Sequence, residues 1–329
     1  MDAKITKKRL SRLLSYDWLK IVGVAAAFIV VWSLLFTMTA TRITPAQQFT
    51  VFNHYANVAF DYSSFYGDLD RALDNGVFSY EVMEVDAIDL ATAGEERYTM
   101  CDTRFTTGQG DMMFIPNIQD AEFAEKDVQI TYVESFFGRY EPYMVSWDEY
   151  LASAHTYLNE YFNGDYQTGE LNVAKAEKDF RARAKQNKDK RFKKESKIQQ
   201  GVKDECARLE KYRSELIKFE GYLAEGIIRL ENVVYKNHSS GEAYIDETTG
   251  EVYLQGRYAL NLCPSEEKTG GLQNQVYYSV ASEDGTRKAS AKDMCVVLFS
   301  LPEMDKDFQY ETVAYLNTVI ASAIAATQA

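Results

Sequence analysis

RFTTGQGDMMFIPN, from Arg104 to Asn117, places two glycines and an aspartate ahead of a short apolar run. In a phosphate-binding loop such glycines follow a strand and open a helix, so that the amides of the helix N-terminus face the phosphate. Here the order is reversed, because EERYTMCDTRFTTG predicts a helix that ends at Gly108 and MMFIP predicts the strand after it. The stretch therefore indicates a helix-to-strand turn of an α/β domain rather than a nucleotide site.

The chain before this stretch alternates between strand and helix patterns. FTVFNHYANVAF (49–60) predicts a first strand, SSFYGDLDRALDNG (63–76) a helix that Gly76 ends, and VFSYEVMEVDAI (77–88) a second strand. This order predicts right-handed crossovers and a mostly parallel sheet with both faces covered. Ligands of such sheets gather at the carboxyl ends of the strands. The candidate ligand-binding residues at these ends are Asn53, Tyr55, Asn117 and Asp120.

An uncharged apolar run, IVGVAAAFIVVWSLLFTM, occupies residues 21–38. With Thr39 and Ala40 it is long enough to cross the ~30 Å of a bilayer as a helix. The twenty residues before it carry six basic and two acidic side chains, which predicts a cytoplasmic N-terminus. A cleaved signal peptide has a similar layout, but the run is longer than a usual signal core and no good cleavage site follows it. We therefore expect a cytoplasmic basic segment at 1–20, a transmembrane helix at 21–40 and an extracytoplasmic remainder, in a single-pass cell membrane protein.

The charge of the chain is distributed unevenly. The whole chain carries −13 and residues 1–20 contribute +4, which leaves −17 for the residues from Arg42 onward. A domain this acidic is not expected to bind nucleic acid. The four cysteines are far apart and no histidine lies at ligand spacing, so we expect no metal site and no cofactor. A disulfide between Cys263 and Cys295 is permitted outside the cytosol, although buried free thiols are the expected state.

The composition of residues 141–235 predicts a helical insertion in the α/β domain. A capping box from Ser146 to Glu149 opens its first helix, and no proline occurs from Glu170 to Tyr235. Apolar residues then recur with alternating helical spacings, which predicts a helical hairpin with a coiled-coil-like seam. These seam positions are Val202, Cys206, Leu209, Leu216, Leu223, Ile227 and Leu230.

The tip of this insertion is strongly basic. Residues 178–197, KDFRARAKQNKDKRFKKESK, contain ten lysines or arginines and three acids. One interpretation is an arm that contacts a partner or an anionic surface, such as phospholipid headgroups or an anionic wall polymer. The other is a helix tip that its charge keeps soluble. The residues assigned to the contact are Arg181, Arg183, Lys190, Arg191, Lys193 and Lys194.

The last third of the chain returns to strand patterns. GEAYIDETTGEVYLQG predicts a hairpin, and ALNLC, QVYYSVAS and MCVVLFSL predict further strands. YETVAYLNTVIASAIAA predicts a closing amphipathic helix. Residues 41–140 and 236–329 are therefore expected to form the two parts of one α/β domain.

GDMMFI at 110–115 and MCVVLFSLPEMDKDFQYETVAYLNTVIAS at 294–322 resemble, respectively, the opening and the end of the extracellular solute-binding proteins of bacterial ABC importers. The resemblance covers about residues 48–120 and 252–325. It implies a periplasmic-binding-protein-like α/β domain that binds a small solute or peptide, or serves as an accessory subunit of a membrane transporter. Two departures count against closure of two lobes on a solute: a helical insertion replaces the second α/β lobe, and a transmembrane helix replaces the lipid-modified cysteine.

Motifs of common catalytic sites are missing from the sequence. There is no G-x-S-x-G or H-E-x-x-H, and the three histidines are isolated. We therefore expect a protein that is not an enzyme. The alternatives are a structural or interaction protein of the cell envelope that docks through the basic arm and has no ligand pocket, and an envelope hydrolase. The dense aromatic residues between Tyr132 and Tyr166 fit either stacking on a ligand or packing of the helical insertion on the sheet.

Overall fold

The computed structural model describes residues 7–39, 43–53, 58–59, 62–90, 92–117, 139–186, 189–234, 242–252, 255–281, 287–300 and 310–329. The chain divides into two compact units, Met1–Arg42 and Ile43–Ala329.

The first unit contains one long helix, α1 (Lys7–Thr39). Its segment Trp18–Phe36 is long and apolar enough to cross a bilayer, and none of that segment is buried against the rest of the chain. A helix of this kind near an N-terminus serves as a membrane anchor or as a signal sequence. The predicted apolar helix is therefore confirmed, while its orientation in a membrane stays a prediction.

The second unit combines strands with a largely helical middle part, which confirms the predicted mixture of α and β structure. Its strands are β1 (Gln48–Asn53), β2 (Val58–Ala59), β3 (Glu84–Asp89), β4 (Met112–Pro116), β5 (Met144–Val145), β6 (Arg229–Val234), β7 (Gln255–Asn261), β8 (Tyr277–Ala281), β9 (Arg287–Ser290) and β10 (Met294–Phe299). Its helices are α2 (Tyr62–Asp74), α3 (Arg97–Thr106), α4 (Trp147–Tyr161), α5 (Val173–Gln186), α6 (Glu195–Ala224), α7 (Glu266–Thr269) and α8 (Glu311–Gln328).

The main sheet has the strand order β3-β1-β4-β10-β7-β6, and β5 also pairs with β10. The strands β3, β1 and β4 are parallel to one another, whereas β10, β7 and β6 are each antiparallel to the strand before them in this order. The sheet is therefore mixed, and not mostly parallel as the sequence predicts, because the later strands join it in alternating directions. A small antiparallel sheet contains β2, β8 and β9.

The turn between α3 and β4 forms as the sequence predicts. Gly108 follows the end of α3 with a φ of 73°, a conformation that favours glycine. Gly110 has a φ of 141°, and a Cβ atom there would lie 2.8 Å from the ring of Phe52. The two glycines thus allow the chain to leave a helix and enter a buried strand, and they do not open a helix.

The side chains of the main sheet alternate between two apolar clusters. On one face, Val51 and Phe114 belong to a cluster that α2 and α8 complete. On the other face, Phe52 and Met113 belong to a cluster that α3 completes. A third cluster joins α4, α5, α6 and the start of α8. All three clusters consist of residues that follow Arg42, so the second unit has a complete core of its own and is expected to fold without the first.

The helical middle part forms a layer that packs on α8. The sequence predicts helix up to residue 235, but α6 ends at Ala224, and Gly226 follows with a φ of 62°. Residues 229–234 instead pair with β7 as the edge strand β6. The predicted seam residues Leu209 and Leu216 are fully buried in one cluster with residues of α4 and α8. These apolar residues of α6 are therefore buried inside this layer. Of the aromatic side chains of α4, Tyr157 and Tyr161 belong to the same cluster, whereas Trp147 and Tyr150 pack in the sheet cluster with α2 and α8.

Two predicted strands differ from the observed ones. The pattern at 49–60 predicts one strand, but β1 and β2 belong to different sheets. The pattern at 77–88 predicts a strand from Val77, whereas β3 begins at Glu84. The preceding residues form a loop because the Ser79 hydroxyl accepts a hydrogen bond from the Glu81 amide, and the Ser79 carbonyl accepts one from the Val82 amide. This loop contacts the helical layer and is called the 77–83 loop below.

The four cysteines are free thiols. Cys263 belongs to the cluster on one face of the main sheet and Cys295 to the cluster on the other. A disulfide requires the two Cβ atoms to face each other. The Cys263–Cys295 bond that the sequence permits is therefore not formed.

Candidate functional site

Polar side chains converge at the edge of the main sheet where β1, β3, β4 and β7 end. Asn53 and Asp89 are the last residues of β1 and β3, and they are paired in register. Asn117 follows β4, and its amide donates to the Asp293 carbonyl at 2.9 Å, directly before β10. Asn261 is the last residue of β7. This carboxyl edge is where the sequence predicts a ligand site.

On the face covered by α2 and α8, Asn53 and Asp89 form a pair. Asn53 is completely buried, and its Nδ2 donates to Asp89 Oδ1 at 3.2 Å. The Asn53 carbonyl accepts a hydrogen bond from the Leu90 amide. One bond fixes the side chain and the other fixes the backbone, so together they hold the carboxyl ends of β1 and β3 to each other.

On the opposite face, Asn261 organises two carboxylates. Its Nδ2 donates to Asp293 Oδ1 at 2.8 Å and to Glu231 Oε1 at 3.0 Å, and its Oδ1 accepts from the Cys263 amide at 3.0 Å. Arg229 also donates to Glu231 Oε1 from its Nε at 2.7 Å. Asn261 is only 1% exposed, so its orientation is fixed and the two carboxylates are held close to one buried amide group.

Asn117 lies beside this group. It continues the alternation of Met113 and Ile115, which places it on the same face as the Asn261 group. Only 6% of its surface is exposed, and its side chain has no hydrogen-bond partner among the residues that the structure describes. The Asn117 amide is not among the fully buried side-chain groups that lack a partner, so its polar atoms reach the surface at this edge. They are therefore accessible to a solute.

We call Asn117, Glu231, Asn261 and Asp293 the carboxyl-edge cluster. It offers carboxylate and amide oxygens as acceptors, and the Asn117 amide also offers N–H donors. The nearby Cys295 is fully buried, and burial raises the pKa of its thiol well above the usual value, so the thiol stays protonated. The arrangement is suited to orienting a ligand rich in hydroxyl or amino groups.

The four predicted ligand residues have different outcomes. Asn53 and Asn117 lie at the carboxyl edge but on opposite faces of the sheet, so the structure does not bring them into one site. Tyr55 and Asp120 lie outside the described residues. Sequence reasoning missed Glu231, Asn261 and Asp293. The signal for Asn261 is its position as the one polar residue inside the apolar strand pattern ALNLC, while Glu231 falls in a segment predicted as helix.

The six predicted basic contact residues divide into two groups. Arg181, Arg183 and Arg191 form ion pairs within the chain. Lys190, Lys193 and Lys194 are exposed. The acceptor shared by two buried arginine contacts is Glu205, which is 1% exposed. Burial alone would raise the pKa of Glu205, but the positive charges of Arg208 and Arg183 outweigh it and lower the pKa to about 2.

The one described histidine, His155, is engaged in contacts within the chain. The ring of His155 stacks on Tyr166, and its Nε2 lies 2.5 Å from Glu220 Oε1. Tyr166 donates its hydroxyl to the other oxygen of Glu220 at 2.9 Å. These three side chains fasten α4 to α6. Within the described part of the chain, no group of three or more His, Cys, Asp or Glu side chains is arranged to hold a metal ion.

Comparison of the chain with protein-family models, with curated proteins and with solved structures gives no match. A proposal for the ligand therefore depends on the geometry and chemistry of the carboxyl-edge cluster alone.

Proposed function

We propose that this protein is a non-enzymatic, membrane-anchored extracytoplasmic bacterial protein that binds a small polar solute or peptide at the carboxyl edge of its sheet. The observation that carries the proposal is the Asn117 side chain, which has no hydrogen-bond partner among the described residues and lies beside Asp293 and the Asn261 amide. A site of this kind becomes fully hydrogen-bonded when a ligand supplies the missing donors and acceptors.

The chemistry of the carboxyl-edge cluster favours a ligand that presents several N–H or O–H groups. Asp293 and Glu231 accept hydrogen bonds. The Nδ2 of Asn261 donates to both carboxylates and holds them in place before a ligand binds. Preorganised polar groups at a few fixed positions are what gives a small-molecule site its specificity. Sugars, amino acids and short peptides have this pattern of donors.

The resemblance to solute-binding proteins of ABC importers agrees with this proposal. The strand, helix and glycine order that carries the resemblance forms the parallel part of the sheet, β1, β3 and β4. The helical layer occupies the place in the chain where that family has a second lobe. We therefore expect the ligand to be held by one domain, either as a transported solute or as a signal for an associated transporter.

The proposed location rests on α1 and the charges before it. The segment Trp18–Phe36 is suited to span a bilayer, and the excess of lysine and arginine in residues 1–20 favours a cytoplasmic N-terminus. The mass of the protein extracted from membranes tests this: an anchor keeps residues 1–40, whereas a signal sequence is removed.

The binding proposal is tested by thermal unfolding of the second unit, Ile43–Ala329, against a panel of sugars, amino acids and short peptides. A ligand present at about 100 times its Kd stabilises the folded state by about 2.7 kcal/mol, which raises Tm by several degrees. Asn117→Ala should abolish that shift with little change in Tm without ligand. Asn274→Ala, at an exposed asparagine, is the matched control. A panel without any shift, or a shift that both Asn117→Ala and Asp293→Asn leave intact, would contradict the proposed site.

A further inference from the structure

The arginines and the lysines around the turn between α5 and α6 differ in their contacts. The arginines form ion pairs with carboxylates of the chain, and Arg183 and Arg191 do so in a half-buried position, whereas the lysines are exposed. Arginine presents a planar fork suited to paired carboxylates, and lysine presents a hydrated point charge on a flexible stem. At this turn the arginines therefore stabilise the structure, and the lysines provide surface charge.

The arginines attach the turn to the 77–83 loop. Arg183 donates to Glu205 Oε2 and to the Tyr80 hydroxyl, both at 3.0 Å. Arg191 donates to Glu81 Oε2 at 2.9 Å and to the Tyr80 carbonyl at 3.0 Å. The contacts with Tyr80 and Glu81 join residues about a hundred positions apart in the sequence, so the turn is fixed to the body of the domain and is not a free arm.

Aromatic packing makes the attachment rigid. Phe180 is 1% exposed, and its ring lies 4.9 Å from that of Phe192. Tyr80 contacts both rings edge-on. Gly201 lets α6 approach this group closely, since a Cβ atom there would lie 2.7 Å from the Phe192 ring and still closer to Phe180. The lysines at this turn are consequently displayed from a fixed backbone.

The exposed lysines form what we call the lysine surface. Its members are Lys185, Lys190, Lys193, Lys194 and Lys197. Among the residues that the structure describes, Lys193, Lys194 and Lys197 have no ion-pair partner, and the nearby Glu195 is occupied by Arg181 at 2.8 Å. The surface thus keeps its positive charge in a domain that is otherwise strongly acidic.

The lysine surface lies on the same side of the domain as the entry of the chain. The 77–83 loop precedes β3, at the amino edge of the parallel strands, and Arg191 and Phe192 contact it. The chain enters β1 at this same edge, where the Gln47 carbonyl accepts a hydrogen bond from the Met83 amide at 2.8 Å. Gln47, directly before β1, therefore lies beside the 77–83 loop, to which the turn that carries the lysine surface is attached.

We propose that the lysine surface docks the domain on an anionic phospholipid bilayer. Its aromatic residues Phe180 and Phe192 pack inside the domain, so the contact involves headgroups and does not insert side chains into the hydrocarbon. Attraction of this kind is electrostatic and is weakened by salt. The docking fixes which edge of the domain faces the membrane, and it does not depend on a ligand at the carboxyl edge.

The test measures binding of Ile43–Ala329, whose core is complete, to vesicles by sedimentation. We expect binding to vesicles that mix phosphatidylglycerol with phosphatidylcholine and none to phosphatidylcholine alone. Each basic residue near an anionic surface contributes about fivefold, so Lys193→Gln, Lys194→Gln and Lys197→Gln together should weaken the partition by roughly 100-fold. The matched control removes the same charge at exposed lysines elsewhere, with Lys218→Gln, Lys288→Gln and Lys292→Gln, and should change the partition by less than about threefold.

The possible outcomes separate docking from other sources of binding. Both triple variants should keep the Tm of the parent, because all six lysines are exposed. Equal weakening by the two triple variants would show a response to net charge alone and would overturn the proposal. Absence of binding to the anionic vesicles would overturn it as well, and binding to soluble polyphosphate without binding to vesicles would assign the surface to an anionic polymer instead of lipid.

Discussion

Asp111, the residue after the second glycine of the opening stretch, is expected to make the stability of the domain depend on pH in the direction opposite to most carboxylates. It is 4% exposed, and its Oδ2 accepts a hydrogen bond from the Thr50 amide at 2.7 Å. Burial, together with the negative charge of Glu311, raises the pKa of Asp111 to about 8 even though the Thr50 hydrogen bond lowers it. Near pH 7 the folded protein therefore holds this carboxyl in its protonated form.

The sign follows from the two pKa values. In the unfolded chain the carboxyl ionises near its ordinary pKa of 3.8, whereas in the folded chain it ionises near 8. Its contribution to stability is complete below about pH 4 and is lost as the pH rises towards 8, at ~1.4 kcal/mol per pH unit. Asp111→Asn places a neutral amide of similar shape at the site and removes this titration. The stability of the variant relative to the parent should therefore rise by about 2.7 kcal/mol between pH 5 and pH 7.

Urea unfolding of Ile43–Ala329 measures this difference. The fragment retains Trp147 as its single tryptophan, and that side chain is fully buried, so its fluorescence reports the loss of the core. Asp70→Asn, at an exposed position on α2, removes the same charge and should show no comparable slope. If the difference between Asp111→Asn and the parent is constant from pH 5 to pH 8, Asp111 is ionised in the folded state and the reasoning is wrong.

Three further predictions concern packing, buried charge and the thiols. Gly201→Ala should lower the free energy of unfolding in urea by about 1–3 kcal/mol through overpacking, while Gly221→Ala, with open space around it on the same helix, should not lower it. Glu205→Gln should destabilise by about 3–5 kcal/mol, because Arg208 then lacks its buried counter-charge; an unchanged urea midpoint would contradict this. The four cysteines are free, so dithiothreitol should leave Tm unchanged, and Ellman's reagent should count four thiols only after unfolding.

The parts of the fold that the sequence predicts correctly depend on local rules. Gly76 and Gly108 end helices because a left-handed residue is needed there, and both have a positive φ. Ser146 accepts a hydrogen bond from the Glu149 amide at the start of α4, as the capping pattern predicts. Such signals lie within a few residues of the structure that they determine.

The errors arise where distant residues decide the outcome. Residues 229–234 have a helical pattern by themselves, but pairing with β7 makes them a strand. The direction of β10 is set by its two neighbours, β4 and β7, and no local pattern encodes it. The alternation of the strands also separates Asn53 from Asn117, two residues that the sequence places together at the end of parallel strands. Propensity and spacing carry no information on these pairings.

The two proposed surfaces lie at opposite edges of the same sheet. The turn that carries the lysine surface contacts the 77–83 loop, which precedes β3, whereas the carboxyl-edge cluster lies where β4 and β7 end. A domain that docks on a bilayer through the first edge presents the second edge away from the lipid, open to a solute. Ligand binding should then be unaffected by Lys193→Gln, Lys194→Gln and Lys197→Gln, and vesicle binding should be unaffected by Asn117→Ala. Loss of both properties in either variant would mean that the two edges are coupled through the sheet, which neither proposal requires.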